Sequence, residues 1–214
     1  MLSHKNLVLH KFLSNSQEVA SAIGVDSSEM KVIAKPDTIE HALGLGWDIE
    51  RDTFVFQSIA VKDGTRRGVL STVASLFDPL GLLAPFSLKG KLLLQRLCYS
   101  KKGWDEPLSP NEEKEWNSWT SALSSLSSIQ IPRCFLATSL CSSYETELHT
   151  FSDAITSAYG ACSYIRLIDK SKGVTNVSLV MGKSRVVPRK VISIPRLELQ
   201  ARTEIREAEY VLLD

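Results

Sequence analysis

Near residue 134 the spacing of apolar side chains changes from helical to alternating, which restricts the chain to folds that set helices before a sheet. Three strand-like runs follow that point: "YETELHTF", "AYGACSYIRLI" and "VSLVMGKSRVV". A turn around Ala154 to Ser157 divides the first two, and the polar "DKSKGVTN" divides the second from the third. The closing segment "PRLELQARTEIREAEYVLL" has Ser193 and Pro195 near its start and places Leu197, Ala201, Ile205, Ala208 and Leu212 on one stripe. Three strands and then a packing helix are predicted.

Upstream, residues 69–102 are the most apolar part of the chain, and Asp78, Pro79 and Gly81 interrupt them. The pattern predicts a short helix, a turn, and a longer helix through "SLKGKLLLQRLCYSKK". In "LSPNEEKEWNSWTSALSSL", Ser109 precedes Pro110, Glu112 and Glu113 fall in the first turn, and Trp116, Trp119, Leu123 and Leu126 share a face. The Ser-rich "SSLSSIQIPR" (124–133) is the candidate domain boundary. "LGLGWDIERDTFVFQSIAV" (43–61) reads as a β-hairpin with Glu50, Arg51 and Asp52 at an exposed tip. "SQEVASAI" is a short helical candidate with Ser16 as N-cap. No internal repeat is visible.

The 25 basic and 24 acidic residues give a formal charge of +1, so no whole-chain pull toward nucleic acid or membrane follows, and any polyanion site must be local. Cys98, Cys134, Cys141 and Cys162 form no C-x-x-C pair, which fits free thiols in a reducing compartment. The N-terminal stretch lacks the apolar core of a signal peptide, and no run of apolar residues is long enough to span a bilayer. A soluble intracellular protein, cytoplasmic or nuclear and without a membrane partner, is expected.

Two acids fall where chemistry could occur. Asp153 ends the first strand on the side of His149 and Phe151, and Glu198 lies in the first turn of the closing helix, about 100° from the core stripe. A helix packed across the strands could bring both to one end of the sheet. Paired carboxylates raise each other's pKa and call for a cation, and a hard divalent ion with oxygen ligands suits them. The alternative is structural: a strand-end Asp forms turns, and a first-turn Glu complements the helix dipole.

These residues carry a resemblance. "LHTFSDAITSAYGACSYIR" and "VSLVMGKSRVVPRKVISIPRLELQA" resemble the ribonuclease H-like region that follows the reverse transcriptase in Pao/BEL-type retrotransposon polyproteins. There an "F-S-D-A-S" strand end, an "A-Y-G" strand, a "K-S-R-V-A-P" strand and an "I-P-R-L-E-L" helix start occur in this order. "LHKFLSNSQEV", "LGLGWDIERDTFVF" and "STVASLFDPLGLLAPFSLKGKLLLQRL" are similar to the segments leading out of the polymerase palm, a stretch also labelled a Pao retrotransposon peptidase domain.

The resemblance implies an α+β, α/β-like fold in three parts: a palm-end hairpin unit (1–65), a helical connection (66–133) and a truncated ribonuclease H-like mixed sheet with a packing helix (134–214). It implies Asp153 and Glu198 as catalytic, metal-binding carboxylates for Mg²⁺ or Mn²⁺, an RNA/DNA hybrid as substrate, and the rest of the polyprotein as partner. Departures limit the carry-over. Ile155 stands where a small polar residue is usual, Gly182 where Ala is usual, and no "S-D-S" or "T-D-S" strand end follows Glu198. The expectation is a fragment with an incomplete carboxylate cluster, inactive alone; a non-catalytic packing or interaction module is the alternative.

Other features are weaker. No Y-x-D-D pair marks a polymerase, and no D-T-G or D-S-G loop supports an aspartic peptidase; "VDSS" and "KDGT" lack the order. "MGKSR" lacks the first glycine of a phosphate loop, with Val177 in its place. "KSRVVPRK" gathers Lys183, Arg185, Arg189 and Lys190, which could meet nucleic-acid phosphates or form a solvated loop. Trp116 and Trp119 read as core, and His149 as a satisfied structural residue. "FDPLG" reads as a helix stop in which Gly81 takes positive φ.

Overall fold

The computed structural model describes residues 12–14, 16, 18–19, 30–32, 39–42, 45–135, 144–190 and 192–213. The helix expected over "SQEVASAI" lies mostly outside them, as does Cys141; Ser16 Oγ accepts the Val19 N–H at 3.4 Å. β1 (Phe12–Ser14) and β2 (Met30–Val32) pair in parallel.

The expected hairpin forms from β4 (Leu45–Asp48) and β5 (Thr53–Val55), inside a four-stranded antiparallel sheet with β3 (Ile39–Ala42) and β6 (Gln130–Pro132) in the order β3-β4-β5-β6. Its tip is exposed at Glu50 and Arg51, as the polar sequence suggests, and half-buried at Asp52. Asp48 is buried and accepts the Arg51 backbone and guanidinium N–H groups, and Asp52, at φ 50°, accepts from Trp47 Nε1 and Arg133 Nε. Both acids are occupied in shaping the turn.

β6 comes from the stretch read as a boundary. Its serines build a 3₁₀ helix (Ala122–Ser128) in which Ser124, Ser127 and Ser128 hydroxyls each donate to the carbonyl three residues back. Leu123 and Leu126 are buried beneath it. The hairpin and helices therefore share one core, with Leu45 and Phe56 packed in a cluster with Val69, Leu97, Trp119 and Leu126.

The three expected helices are α1 (Arg66–Ser75), α2 (Ala84–Tyr99) and α3 (Pro110–Ser121). Thr65 Oγ1 caps α1 by accepting the Gly68 N–H, a contact typically contributing about 1 kcal/mol. Asp78 ends the turn before α2, its two oxygens accepting the Leu82 and Leu83 N–H groups at 2.8 and 2.7 Å. At α3, Glu112 accepts from the Ser109 N–H and hydroxyl and from Lys102 Nζ.

The Lys102 ammonium, and then the Ser109 N–H, hold the Glu112 carboxyl down at about 2. A depressed folded-state pKa stabilises above the unfolded value and loses that contribution as pH falls. With the side chain 23% exposed, solvent screening reduces the effect to about 1–2 kcal/mol. Wild type should exceed Glu112→Gln by that amount in urea unfolding at pH 7, and the gap should close between about pH 4.5 and 2.

The second half follows the predicted order. β7 (Glu145–Ala154), β8 (Ala158–Asp169) and β9 (Val174–Val186) form a sheet in the order β7-β8-β9, and α4 (Ile194–Leu213) packs on it. Where a mixed sheet was expected, these strands are antiparallel throughout, because the short connections 155–157 and 170–173 permit only hairpins. Leu197 packs with Ala154 and Val187, and Ala201 and Ile205 with Ala161 and Met181. Ala208 and Leu212, on the same predicted stripe, lie beyond the described side chains.

The opposite face of this sheet meets the start of α2. The Gly182 N–H donates to the Leu80 carbonyl at 2.8 Å, Ser184 Oγ to the Ala84 carbonyl at 3.0 Å, and Gln95 Nε2 to the Val187 carbonyl at 2.7 Å. Gly81 sits at φ 70°, as "FDPLG" predicts. A Cβ there would lie 1.7 Å from the Gly182 carbonyl oxygen, so the glycine serves the contact as well as the turn.

Candidate active site

Asp153 stands one residue from the end of β7, opposite Gly160 in the register. Strand alternation sets it on the face of Phe151 and Cys162, whereas Ala154 faces α4. Its Oδ1 accepts the Ala154 N–H at 2.8 Å, leaving Oδ2 toward solvent. Asp153 borders an apolar groove of about 500 Å³ floored by Phe151, Tyr164 and Leu179 and walled by Leu82, Pro85 and Leu88.

α4 begins at Ile194, so Glu198 is its fifth residue and falls just past the first turn in which the sequence sets it; it is exposed, directly after the fully buried Leu197. Because Leu197 packs on Ala154, the structure brings both acids to the same end of the sheet. The register sets Asp153 on the face away from α4, so the two approach that end from different sides of the sheet. Among the described residues, no three His, Cys, Asp or Glu side chains gather to hold a metal ion. A two-ion cluster therefore does not fit the described donors; exposed carboxylates with free oxygens could serve a single, largely hydrated ion.

Residues 65–212 match the family described as the Pao retrotransposon-like RNaseH-like domain. The chain belongs to that family. No curated protein matches it. The matched stretch starts at the cap of α1 and runs into α4, so this Pao-type domain takes in the three helices as well as the sheet. Among the described residues, no helix is long and apolar enough to cross a membrane.

The basic stretch of the Pao-type domain is partly engaged within the chain. Lys183 Nζ donates to the Glu204 carbonyl at 3.3 Å, and Arg185 Nε to Glu204 Oε2 at 2.9 Å. Tyr159 OH donates to the other Glu204 oxygen at 2.8 Å, and burial, followed by this contact, pushes the phenol up. Arg189 lies over the Tyr99 ring at 5.2 Å, and its N–H donates to the Tyr99 hydroxyl. Lys190 is exposed. Glu204 escaped the sequence reading, although it follows Leu197 by two helical turns and so falls beside the sheet-facing stripe.

His149 is structural, as its setting predicts. It contacts Glu147 at 2.9 Å, and Arg166 contacts the same carboxylate at 2.8 Å. His149 and then Arg166 hold Glu147 below the ordinary carboxylate range. "MGKSR" is strand, within β9, with no helix after it to cradle a phosphate. Cys98, Cys134 and Cys162 are free thiols.

Proposed function

We propose that this chain is part of a divalent-metal-dependent hydrolase that cleaves the RNA strand of RNA/DNA hybrids during reverse transcription, with Asp153 and Glu198 as two of its carboxylate ligands. The observation that carries this reading is Asp153 itself: a strand-end carboxylate with one oxygen on its own chain and the other free, at the sheet end where α4 begins. Mg²⁺ or Mn²⁺, when bound, would activate water and stabilise the leaving oxygen.

The chain's own residues contribute position and charge. Leu197 seats the first turn of α4 against Ala154 and so fixes Glu198 at the strand end. Arg189 and Lys190 leave the end of β9 and would meet backbone phosphates, with Lys183 and Arg185 adding positive potential nearby. The 2′-hydroxyls of the RNA strand would mark it for recognition. The remaining carboxylates and the rest of the polyprotein would complete the site, so the chain by itself should show little hybrid cleavage.

Manganese titration tests the reading. Paramagnetic broadening should spread from the amides of Asp153 and Glu198 at the same Mn²⁺ concentration, and Asp153→Asn should abolish it at both. Broadening at Glu198 that survives the substitution would separate the two carboxylates and end the shared-ion interpretation. A second reading, a non-catalytic packing module, is favoured by Phe151 and Val177, each more than half exposed on the face of Asp153. It predicts no broadening at either acid.

A further inference from the structure

A polar pocket of about 200 Å³ lies between β9 and the turn that leads into α2, sharing Gly81, Ala84 and Gly182 with the apolar groove. Its polar lining is Asp78, Ser87, Lys91, Lys183, Ser184 and Arg185. We infer that Lys91 anchors a phosphate-binding site in this pocket, separate from Asp153 and Glu198.

Lys91 is partly buried in α2, and among the described residues its ammonium has no hydrogen-bond partner and no acid within 4 Å. Burial, and then the Arg185 guanidinium, hold it below the ordinary lysine range. The Asp78 carboxylate opposes this without bonding the ammonium. Both its oxygens are turned onto the Leu82 and Leu83 N–H groups, and burial pushes its carboxyl up.

The Ser87 and Ser184 hydroxyls both donate to the Ala84 carbonyl, so neither competes with the Lys91 ammonium for an anion. Arg185 borders the pocket from β9, but its side chain lies on the α4 face, where its Nε donates to Glu204 Oε2 at 2.9 Å. A partly buried cation without a hydrogen-bond partner is unfavourable until an anion arrives. No aromatic side chain lines the pocket, so a nucleobase has nothing to stack on. A small tetrahedral oxyanion suits the polar walls. The phosphate could be a free ion or a backbone phosphate of nucleic acid, and the inference does not depend on hydrolase activity.

The test uses the full chain and Lys91→Met, with inorganic phosphate and a short RNA/DNA hybrid as probes. Phosphate should raise the melting temperature of wild type and not of the variant. If a backbone phosphate is the natural ligand, the slope of log Kobs against log salt for the hybrid should also fall by about 1 in Lys91→Met. Loss of the phosphate response with an unchanged slope would identify a free ion instead. Without ligand the variant should melt no lower than wild type, because it loses a partly buried charge that has no hydrogen-bond partner among the described residues. The inference fails if both proteins respond alike to both probes, or if ligand-free Lys91→Met is destabilised, which would make Lys91 a structural partner of Asp78. Failure of the hydrolase reading appears separately, in the manganese titration.

Discussion

Gly81→Ala is expected to separate the β7–β9 sheet from α2 and to cost more than about 3 kcal/mol. An L-residue in the left-handed region pays about 1–2 kcal/mol, and here the added Cβ would also lie 1.7 Å from the Gly182 carbonyl oxygen. Neither partner is a movable side-chain end, so the turn must lift away from β9. The bonds from the Gly182 N–H to Leu80 and from Ser184 Oγ to Ala84 go with it, each worth about 1 kcal/mol. All four tryptophans, Trp47, Trp104, Trp116 and Trp119, lie outside the sheet half, so fluorescence and far-UV dichroism report on different parts. In the variant the dichroism of the sheet should unfold at lower urea while the fluorescence transition stays near wild type. A single coincident transition within about 1 kcal/mol of wild type would refute the argument. Gly182→Ala is the graded control: its Cβ would sit 3.0 Å from the Gly81 carbonyl oxygen, which a shift of a few tenths of an ångström relieves. A loss near 1 kcal/mol is expected, in keeping with alanine as the usual residue there in the family pattern.

Trp119→Ala should be the most damaging change in the helical half, at about 3–5 kcal/mol. The side chain is buried, stacks on Phe86 at 5.4 Å, meets Trp116 at 5.5 Å, and donates from Nε1 to the Phe86 carbonyl at 3.1 Å. Its ring also presses on Gly90 of α2, where a Cβ would come within 2.7 Å of Cζ2. The glycine is what lets α2 and α3 approach, so no nearby side chain can move in to fill the space. Urea unfolding should show a lower midpoint at unchanged m. A loss below about 1.5 kcal/mol would mean that the two helices collapse onto each other, contrary to the packing at Gly90.

The sequence is legible wherever a regular period meets a turn signal. The strands of "YETELHTF", "AYGACSYIRLI" and "VSLVMGKSRVV" alternate cleanly and have hairpin-length breaks, and α3 carries its cap in Ser109, Pro110 and Glu112. β6 was hidden because three residues are too few for a period, and because the serines before it donate their hydroxyls to carbonyls three residues back in a 3₁₀ helix rather than forming a linker. The contact between Gly81 and Gly182 joins residues a hundred positions apart and leaves no local trace. Asp153 and Glu198 could be picked out as acids at element ends. Which face of the sheet each approaches depends on register, which a motif does not encode. Lys91 sits in a run dominated by leucines, where one lysine resembles the solvated side of an amphipathic helix; only the fold sets it in a pocket against β9.

Glu204 takes both the Tyr159 hydroxyl and the Arg185 guanidinium, which belong to neighbouring strands. Apolar contacts alone would let α4 slide lengthwise over the sheet at little cost, since one leucine or alanine fits much like the next. The shared carboxylate acts as a peg against that motion. It sets the axial position of the helix from less than two turns away, and so holds Glu198 level with the tip of β7.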